Sequence, residues 1–253
     1  VAGIVNRLAG DIYGGNVVNS IDFTLPSARK NAISFTGSDL VVVGVPVYAG
    51  RVPNVLLTYL HSIVGNGALA VAVVVYGNRH YDDAVIELKD ILTLNGFKVI
   101  AAGAFIGEHS FSKTLAQNRP DDRDMAVVAD FAGKISAKIG RGDVGAVVLP
   151  GNKPYRQYYM PRDKAGNPVD IRKVIPKTNG NCIDCKLCAC VCPMGSIDYD
   201  DVAGLNGICI KCGACIKKCP RGAKYFDDPG YLNHQRELEV NFAARKEPEL
   251  FLS

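Results

Sequence analysis

Two copies of one cysteine pattern, C-x-x-C-x-x-C-x-x-x-C-P, stand in tandem between Cys182 and Pro220. The first is Cys182, Cys185, Cys188 and Cys192 before Pro193, and the second is Cys209, Cys212, Cys215 and Cys219 before Pro220. No other feature limits so severely what the chain can fold into. Gaps of two residues in a tight turn aim successive thiolates at neighbouring corners of a cubane, while backbone N–H groups point at the sulfurs. In tandem runs of this type the fourth Cys of each run crosses to the other cluster. Cys182, Cys185, Cys188 and Cys219 are therefore expected to hold one [4Fe-4S] cluster, and Cys209, Cys212, Cys215 and Cys192 the other.

Other uses of so much sulfur fit less well. Zinc accepts four thiolates, but its sites usually show two C-x-x-C pairs, not three evenly spaced Cys and a fourth before Pro, twice over. Disulfide frameworks belong to small secreted chains, whereas this sequence has 253 residues and keeps its 9 Cys in one stretch. Cys190 falls inside the x-x-x gap of the first run. A side chain there should point away from the cluster, so Cys190 reads as an unligated thiol.

A chain of this length can form one unit with a full core and a second, smaller unit stapled by metal. Hydrophobic residues at 48% and 26 Gly suit an α/β protein. The expected division is an α/β domain over 1–140, a linker over 141–176, a two-cluster domain over 177–228 and a tail over 229–253. The formal charge of +4 is offset by the clusters, since each oxidised cubane with four thiolates carries about −2. No dense Lys/Arg stripe interleaved with aromatics occurs, which disfavours nucleic acid. Lys186, Lys211, Lys217, Lys218, Arg221 and Lys224 make the cysteine region mildly basic, and read as a solvated face. The longest apolar runs, Leu40 to Tyr48 and Ala68 to Tyr76, are about half of what spans a bilayer. The start shows no basic, apolar, small-residue leader, and exposed cubanes survive best under reducing conditions. A cytoplasmic location in an anaerobe is the resulting expectation.

Ahead of the cysteines the periodicity alternates between strand and helix. Val1 to Ala9 reads as the tail of an amphipathic helix, and Asn16 to Leu25 as a strand alternating through Val18, Ile21 and Phe23. Asp39 to Tyr48, Ala68 to Gly77 and Val99 to Gly107 are continuous apolar runs of the kind buried on both faces of a parallel sheet. Helices are expected from Pro53, from about Asp82 to Asn95 and from Asp121 to Ile139. This rhythm predicts a doubly wound parallel sheet whose ligands bind at the carboxyl ends of the strands. Periodicity then fails through Arg141 to Lys177, although Tyr155, Tyr158 and Tyr159 beside Arg156 predict a packed linker and not a loose tether. A short strand at Ala223 to Phe226 and a helix at Gln235 to Arg245 complete the reading.

Three loops at the carboxyl ends of the buried strands carry Gly, an aromatic and hydrogen-bonding groups: Pro46 to Pro53, Val75 to Asp83 and Ile106 to Phe111. A flavin needs such loops, with apolar faces for its ring and backbone donors for its pyrimidine edge. With P-x-Y-x-G-R-x-P at Pro46 to Pro53, Y-G-N-R-x-Y-D-D at Tyr76 to Asp83, P-G-N-x-P-Y at Pro150 to Tyr155 and the two cysteine runs, the chain resembles a ferrodoxin-type family. In that family a flavodoxin-like domain is fused to a small α+β bacterial two-[4Fe-4S] ferredoxin domain. The resemblance implies FMN contacts from Pro46, Val47, Tyr48, Ala49, Gly50, Arg51, Tyr76, Gly77, Asn78, Arg79 and Tyr81, with Gly107 and Glu108 beside them. It departs from the family in lacking a Ser/Thr/Gly-rich phosphate loop after a first strand.

The functional expectation is an electron carrier in which FMN exchanges one or two electrons and two [4Fe-4S] clusters pass them singly. The partners would be a redox protein donor and acceptor. The alternative is a flavin-dependent reductase of a small substrate or disulfide, fed by the clusters. Gly65, Gly67 and Ala70 spell G-x-G-x-x-A, but ahead of a strand, the wrong context for a dinucleotide site. A flavodoxin-like sheet runs in the order 2-1-3-4-5, and strand 1 is missing from the pattern. A further ~15 to 20 residues at the N-terminus are therefore expected, enough for one strand and its turn.

Overall fold

The computed structural model describes residues 1–14, 18–162 and 166–253. Its centre is a four-stranded sheet of order β1-β2-β3-β6, made from β1 (Leu40–Pro46), β2 (Leu69–Tyr76), β3 (Lys98–Ile106) and β6 (Glu249–Phe251). The first three strands run parallel, Leu40 facing Leu69 and Leu69 facing Lys98, and β6 pairs antiparallel with β3 through Gly103 and Leu250. β2 is buried nearly throughout, as its run of Val and Ala requires between two helical layers.

Helices α2 (Asn54–Ser62) and α3 (Ala84–Leu94) cover one face, where Leu56, Leu60, Leu88 and Leu92 meet Val45, Val74 and Ala104. Helices α1 (Ala2–Ile12) and α4 (Asp122–Gly140) cover the other, with Ile4, Leu8, Phe131 and Ile135 against Val73 and Phe105. Asp121 opens α4 with a capping box, accepting from the Asp124 N–H while Asp124 accepts from its own.

The polar end of the sheet continues into the cysteine region. There β4 (Lys177–Thr178) pairs with β5 (Lys224–Tyr225), enclosing two single-turn helices, α5 (Leu187–Cys190) and α6 (Ala214–Lys217). Helix α7 (Pro229–Asn241) then leads back to the sheet. It begins well before the expected Gln235, because Asp228 accepts the Tyr231 N–H and Pro229 occupies the first turn.

The strand expected at Asn16 to Leu25 is a correction. Asn16 and Val17 lie outside the described residues, and residues 18–25 form no strand. Among the described residues no strand lies alongside them to complete a ladder. Instead Asp22 accepts the Thr24 N–H in a local turn, Ile21 is 48% exposed, Phe23 packs on Tyr59 at 5.3 Å, and Pro26–Arg29 forms a 3-10 turn. Among the described residues β1 is thus an edge strand, and the fourth strand beside β3 comes from the C-terminal segment, where no strand was expected.

Candidate functional site

The two cysteine runs fold as a repeat. Residues two positions after the first Cys of each run, Asp184 and Lys211, both take positive φ (54° and 55°), and both donate backbone N–H groups to that Cys Sγ at 3.4 Å. The residues four positions after the last Cys, Ser196 and Ala223, donate to Cys192 Sγ at 3.4 Å and Cys219 Sγ at 3.2 Å. Lys186 and Gly213, again equivalent, adopt left-handed φ of 61° and 69° to start α5 and α6. A left-handed lysine costs ~1 kcal/mol that glycine does not. Gly213 is used where space is short, since a Cβ there would overlap the Ser110 carbonyl.

This repeat gathers the thiols into two groups. Cys182, Cys185, Cys188 and Cys219 line one small cavity with Val202 and Lys224, and Cys192, Cys209, Cys212 and Cys215 line a second with Ile197 and Phe226. Each group takes three Cys from one run and the fourth from the other. Among the described residues, no three such side chains converge tightly enough to hold a single metal ion. Cys190 lines neither cavity and is exposed.

Electrostatics separate the thiols. Burial raises Cys188, Cys209 and Cys212, and pushes Cys215 up to about 12. Cys219 is also desolvated, yet backbone N–H groups of Arg221, Ala223, Lys224 and Gly222 outweigh this and lower it. Two lysines expected on a solvated face are buried instead. Lys224 is 3% exposed, its ammonium donating to the Val202 carbonyl with its charge acting on Cys188 and Cys215. Lys211 is 7% exposed and donates to the carbonyls of Arg172 (2.5 Å) and Cys209 (2.7 Å). Buried ammonium groups are kept where negative charge or carbonyls compensate them, which the one-dimensional pattern could not reveal.

Between the cysteine region and the sheet lies a cavity of about 310 Å³. Pro46 and Tyr48, Val55 and Leu56 of α2, Val5 of α1 and Phe23 wall one side, and Val191, Pro193, Ile210, Cys212 and Ala214 wall the other. Arg29 also lines it and donates to the Pro193 carbonyl at 2.5 Å. Tyr48 is held by reciprocal backbone bonds with Arg51, each 3.0 Å, and burial raises its phenol well above the ordinary value, with the Cys212 and Cys209 thiols of the same region adding to the rise.

Of the residues matched to flavin contacts, the structure brings Pro46 and Tyr48 to this cavity. The others face their own chain. Val47 donates its N–H to Val75, and the Ala49 carbonyl accepts from Tyr159. Gly50 lies under Asp82, and Gly77 under His109. The Arg51 guanidinium grips Glu87 through Nε and Nη2 at 2.7 Å, and stacks over Tyr155 and Tyr158. Tyr76 packs edge-on to Tyr81, whose hydroxyl donates to Glu249 at 2.6 Å. Asn78 donates to the carbonyls of Phe242 and Ala244, while Arg79 pairs with Asp82 and lies over Tyr159. The Gly107 N–H goes to Tyr76, and Glu108 pairs with Lys217 at 2.9 Å.

The tyrosine segment touches both regions. Tyr155 donates to Asp90 at 2.5 Å and Tyr158 to the Val52 carbonyl at 2.7 Å, while Tyr159 stacks on His234 of α7. His234 sits in turn against Phe111, which also meets Tyr231 and His109.

Residues 157–237 match a family model described as a 4Fe-4S dicluster domain. That match supports an iron–sulfur electron-transfer role. It starts in the tyrosine segment and ends inside α7, reaching past the cysteine runs on both sides. No curated protein and no solved structure matches the chain. No helix among the described residues is long and apolar enough to cross a membrane.

Proposed function

We propose that this protein is an electron carrier with two [4Fe-4S] clusters, one held by Cys182, Cys185, Cys188 and Cys219 and the other by Cys209, Cys212, Cys215 and Cys192. The observation that carries the reading is the grouping of the thiols into these two sets, each closed by a Cys from the other run. A cubane presents four separate iron corners, so its thiols surround a volume and need not meet at a point. Two such sets, each of three evenly spaced Cys and a fourth from the other run, favour cubanes over mononuclear zinc. The N–H groups aimed at four of the sulfurs and the buried ammonium of Lys224 stabilise the negative charge that such clusters carry.

In this reading residues 1–140 form a flavodoxin-like α/β domain, 141–176 a linker, 177–228 the cluster domain and 229–253 a tail that straps the two together. FMN is the proposed second redox group, and its ring fits the cavity beside Cys212. Tyr48, Pro46, Val55 and Leu56, with Val191, Pro193 and Ile210 opposite, supply the apolar faces it needs, and the volume is at the lower bound of ligand pockets. Arg29 is the guanidinium on that lining. When bound, FMN takes one or two electrons where each cluster takes one. The chain's own part is to hold the ring within contact of a cluster ligand, to exclude water with α1, α2 and Phe23, and to present redox protein partners with the exposed Cys185 side.

An anaerobic absorption spectrum with iron, acid-labile sulfide, zinc and flavin analysis tests this. Two cubanes with bound flavin are expected. Zinc without sulfide would overturn the cluster assignment, and full iron without flavin would confine the reading to the clusters.

A further inference from the structure

The repeat that builds the two thiol groups is broken at one buried position. With Cys185 exposed, the Cys182 group is the outer one, and the Cys209 group, whose Cys212 also lines the larger cavity beside Tyr48, is the inner one. Ser196 and Ala223 occupy equivalent places after Cys192 and Cys219, and each gives its N–H to that sulfur. The next residue in each copy is buried against a thiol group. In the first copy it is Ile197, 7% exposed, which lines the inner cavity. In the second it is Lys224, 3% exposed, which lines the outer cavity. One backbone plan thus sets a hydrocarbon against the inner group and a side chain ending in an ammonium against the outer.

Lys224 is fixed in place. Its backbone pairs with Thr178 of β4, and its ammonium donates to the carbonyl of Val202, which lines the same outer cavity. The charge is therefore held beside the thiols and out of water, where salt screens it little. The other buried ammonium, that of Lys211, lies against the carbonyls of Arg172 and Cys209, and Lys211 lines neither cavity. Lys186 and Arg221 join Lys224 around the outer cavity, whereas no basic or acidic residue lines the inner one among the described residues.

Reduction adds one negative charge to a cluster, and a fixed cation nearby favours that state and raises the potential. We propose that Lys224 raises the potential of the outer cluster, held by Cys182, Cys185, Cys188 and Cys219, while Ile197 leaves the inner cluster without a matching charge. The lysine thus acts on the cluster whose ligand Cys185 is open to redox partners. The inference rests on the two-cluster reading above.

The test is an anaerobic dithionite titration of the full, cluster-loaded chain, followed by electron paramagnetic resonance. Lys224→Gln keeps a donor for the Val202 carbonyl and removes the charge. It should weaken electron uptake by one cluster about tenfold, a fall of about 59 mV for one electron, and leave the other potential and the iron and sulfide content unchanged. Lys224→Arg, which keeps the charge, should leave both potentials in place. Arg221→Gln removes an exposed cation from the same cavity and should lower the same potential by less, since water screens it. Unchanged potentials in Lys224→Gln, equal falls in both clusters, loss of iron in that variant, or the same fall in Lys224→Arg would overturn the proposal. So would Arg221→Gln moving the other cluster. Absence of cubane signals from the unsubstituted protein would instead overturn the two-cluster reading on which it stands.

Discussion

Gly213 lies so close to Ser110 that a Cβ on residue 213 would overlap the Ser110 carbonyl oxygen. This contact joins the second cysteine run to the loop after β3, and Lys217 of the same turn pairs with Glu108 at 2.9 Å. Gly213 also has φ of 69°, which a side chain disfavours by ~1 kcal/mol. Gly213→Ala should therefore destabilise the folded chain by about 2–4 kcal/mol, strain and overlap together, in urea unfolding. Lys186→Gly, at the equivalent place in the first run, should be neutral or stabilising by up to ~1 kcal/mol. Equal losses in the two variants would show that the Ser110 contact has no energetic role.

Glu87 is a second keystone. Its carboxylate, 5% exposed, takes two hydrogen bonds from Arg51 and one from the Val52 N–H at 2.8 Å. The Arg51 guanidinium also donates to the Arg156 carbonyl at 2.6 Å, so the pair fastens the tyrosine linker to α3. Removing one partner of a buried pair leaves the other charge uncompensated. Glu87→Ala should cost ~3–5 kcal/mol in urea unfolding and expose the linker to protease. A loss below ~1 kcal/mol would place Arg51 in water instead.

The parts of this molecule that were legible in the sequence are those written in local chemistry. The cysteine runs announce themselves because ligation needs fixed spacing, and β2 because Val and Ala fill every position between two helix layers. Tertiary satisfaction of polar groups left no such trace. Nothing in the motif around Asn78 and Tyr81 announces their bonds to Phe242, Ala244 and Glu249 from the far end of the chain. Lys224 looks like any surface lysine until the β4 and β5 pairing buries it. Asp228-Pro229-Gly230 reads equally as a turn or as a capped helix start, and the contacts of Tyr231 with Phe226 and Phe111 go with the second choice. Among the described residues the alternation through Val18, Ile21 and Phe23 has no neighbouring strand, and an alternating pattern makes a strand only where an edge receives it.

Cys190 offers a plain check on ligand identity. It closes α5, is exposed and lines neither thiol cavity. Cys190→Ser should retain the full iron and sulfide content and both cluster signals. Cys188→Ser, at a buried position inside the outer group, should lose one cluster and leave the other. Loss of iron from the Cys190 variant would make that thiol a ligand and break the two-set arrangement.

His109 should make the fold sensitive to mild acid. Its imidazole packs over Gly77, takes the Phe111 N–H on Nδ1 at 3.1 Å and meets Phe111 edge-on. Burial pushes its pKa from 6.5 down to about 4, helped by His234, Lys217 and Arg79 and opposed by Glu239. The unfolded chain thus binds a proton near pH 6.5 that the folded chain refuses until about pH 4. Stability from this group is fully present above pH 6.5, falls as pH drops through that window and levels off below about 4. The loss should reach ~2–3 kcal/mol, since one pKa unit corresponds to about 1.4 kcal/mol and part of the shift is relieved by local relaxation. Cluster hydrolysis also responds to acid, so the measurement is a difference: urea unfolding of the unsubstituted chain and of His109→Gln, each at pH 7 and pH 5. The glutamine carbonyl can still accept the Phe111 N–H but cannot titrate, so the variant should lose less stability between the two pH values by ~1–2 kcal/mol. Identical losses would assign the acid sensitivity to other groups, with His109 only filling space above Gly77.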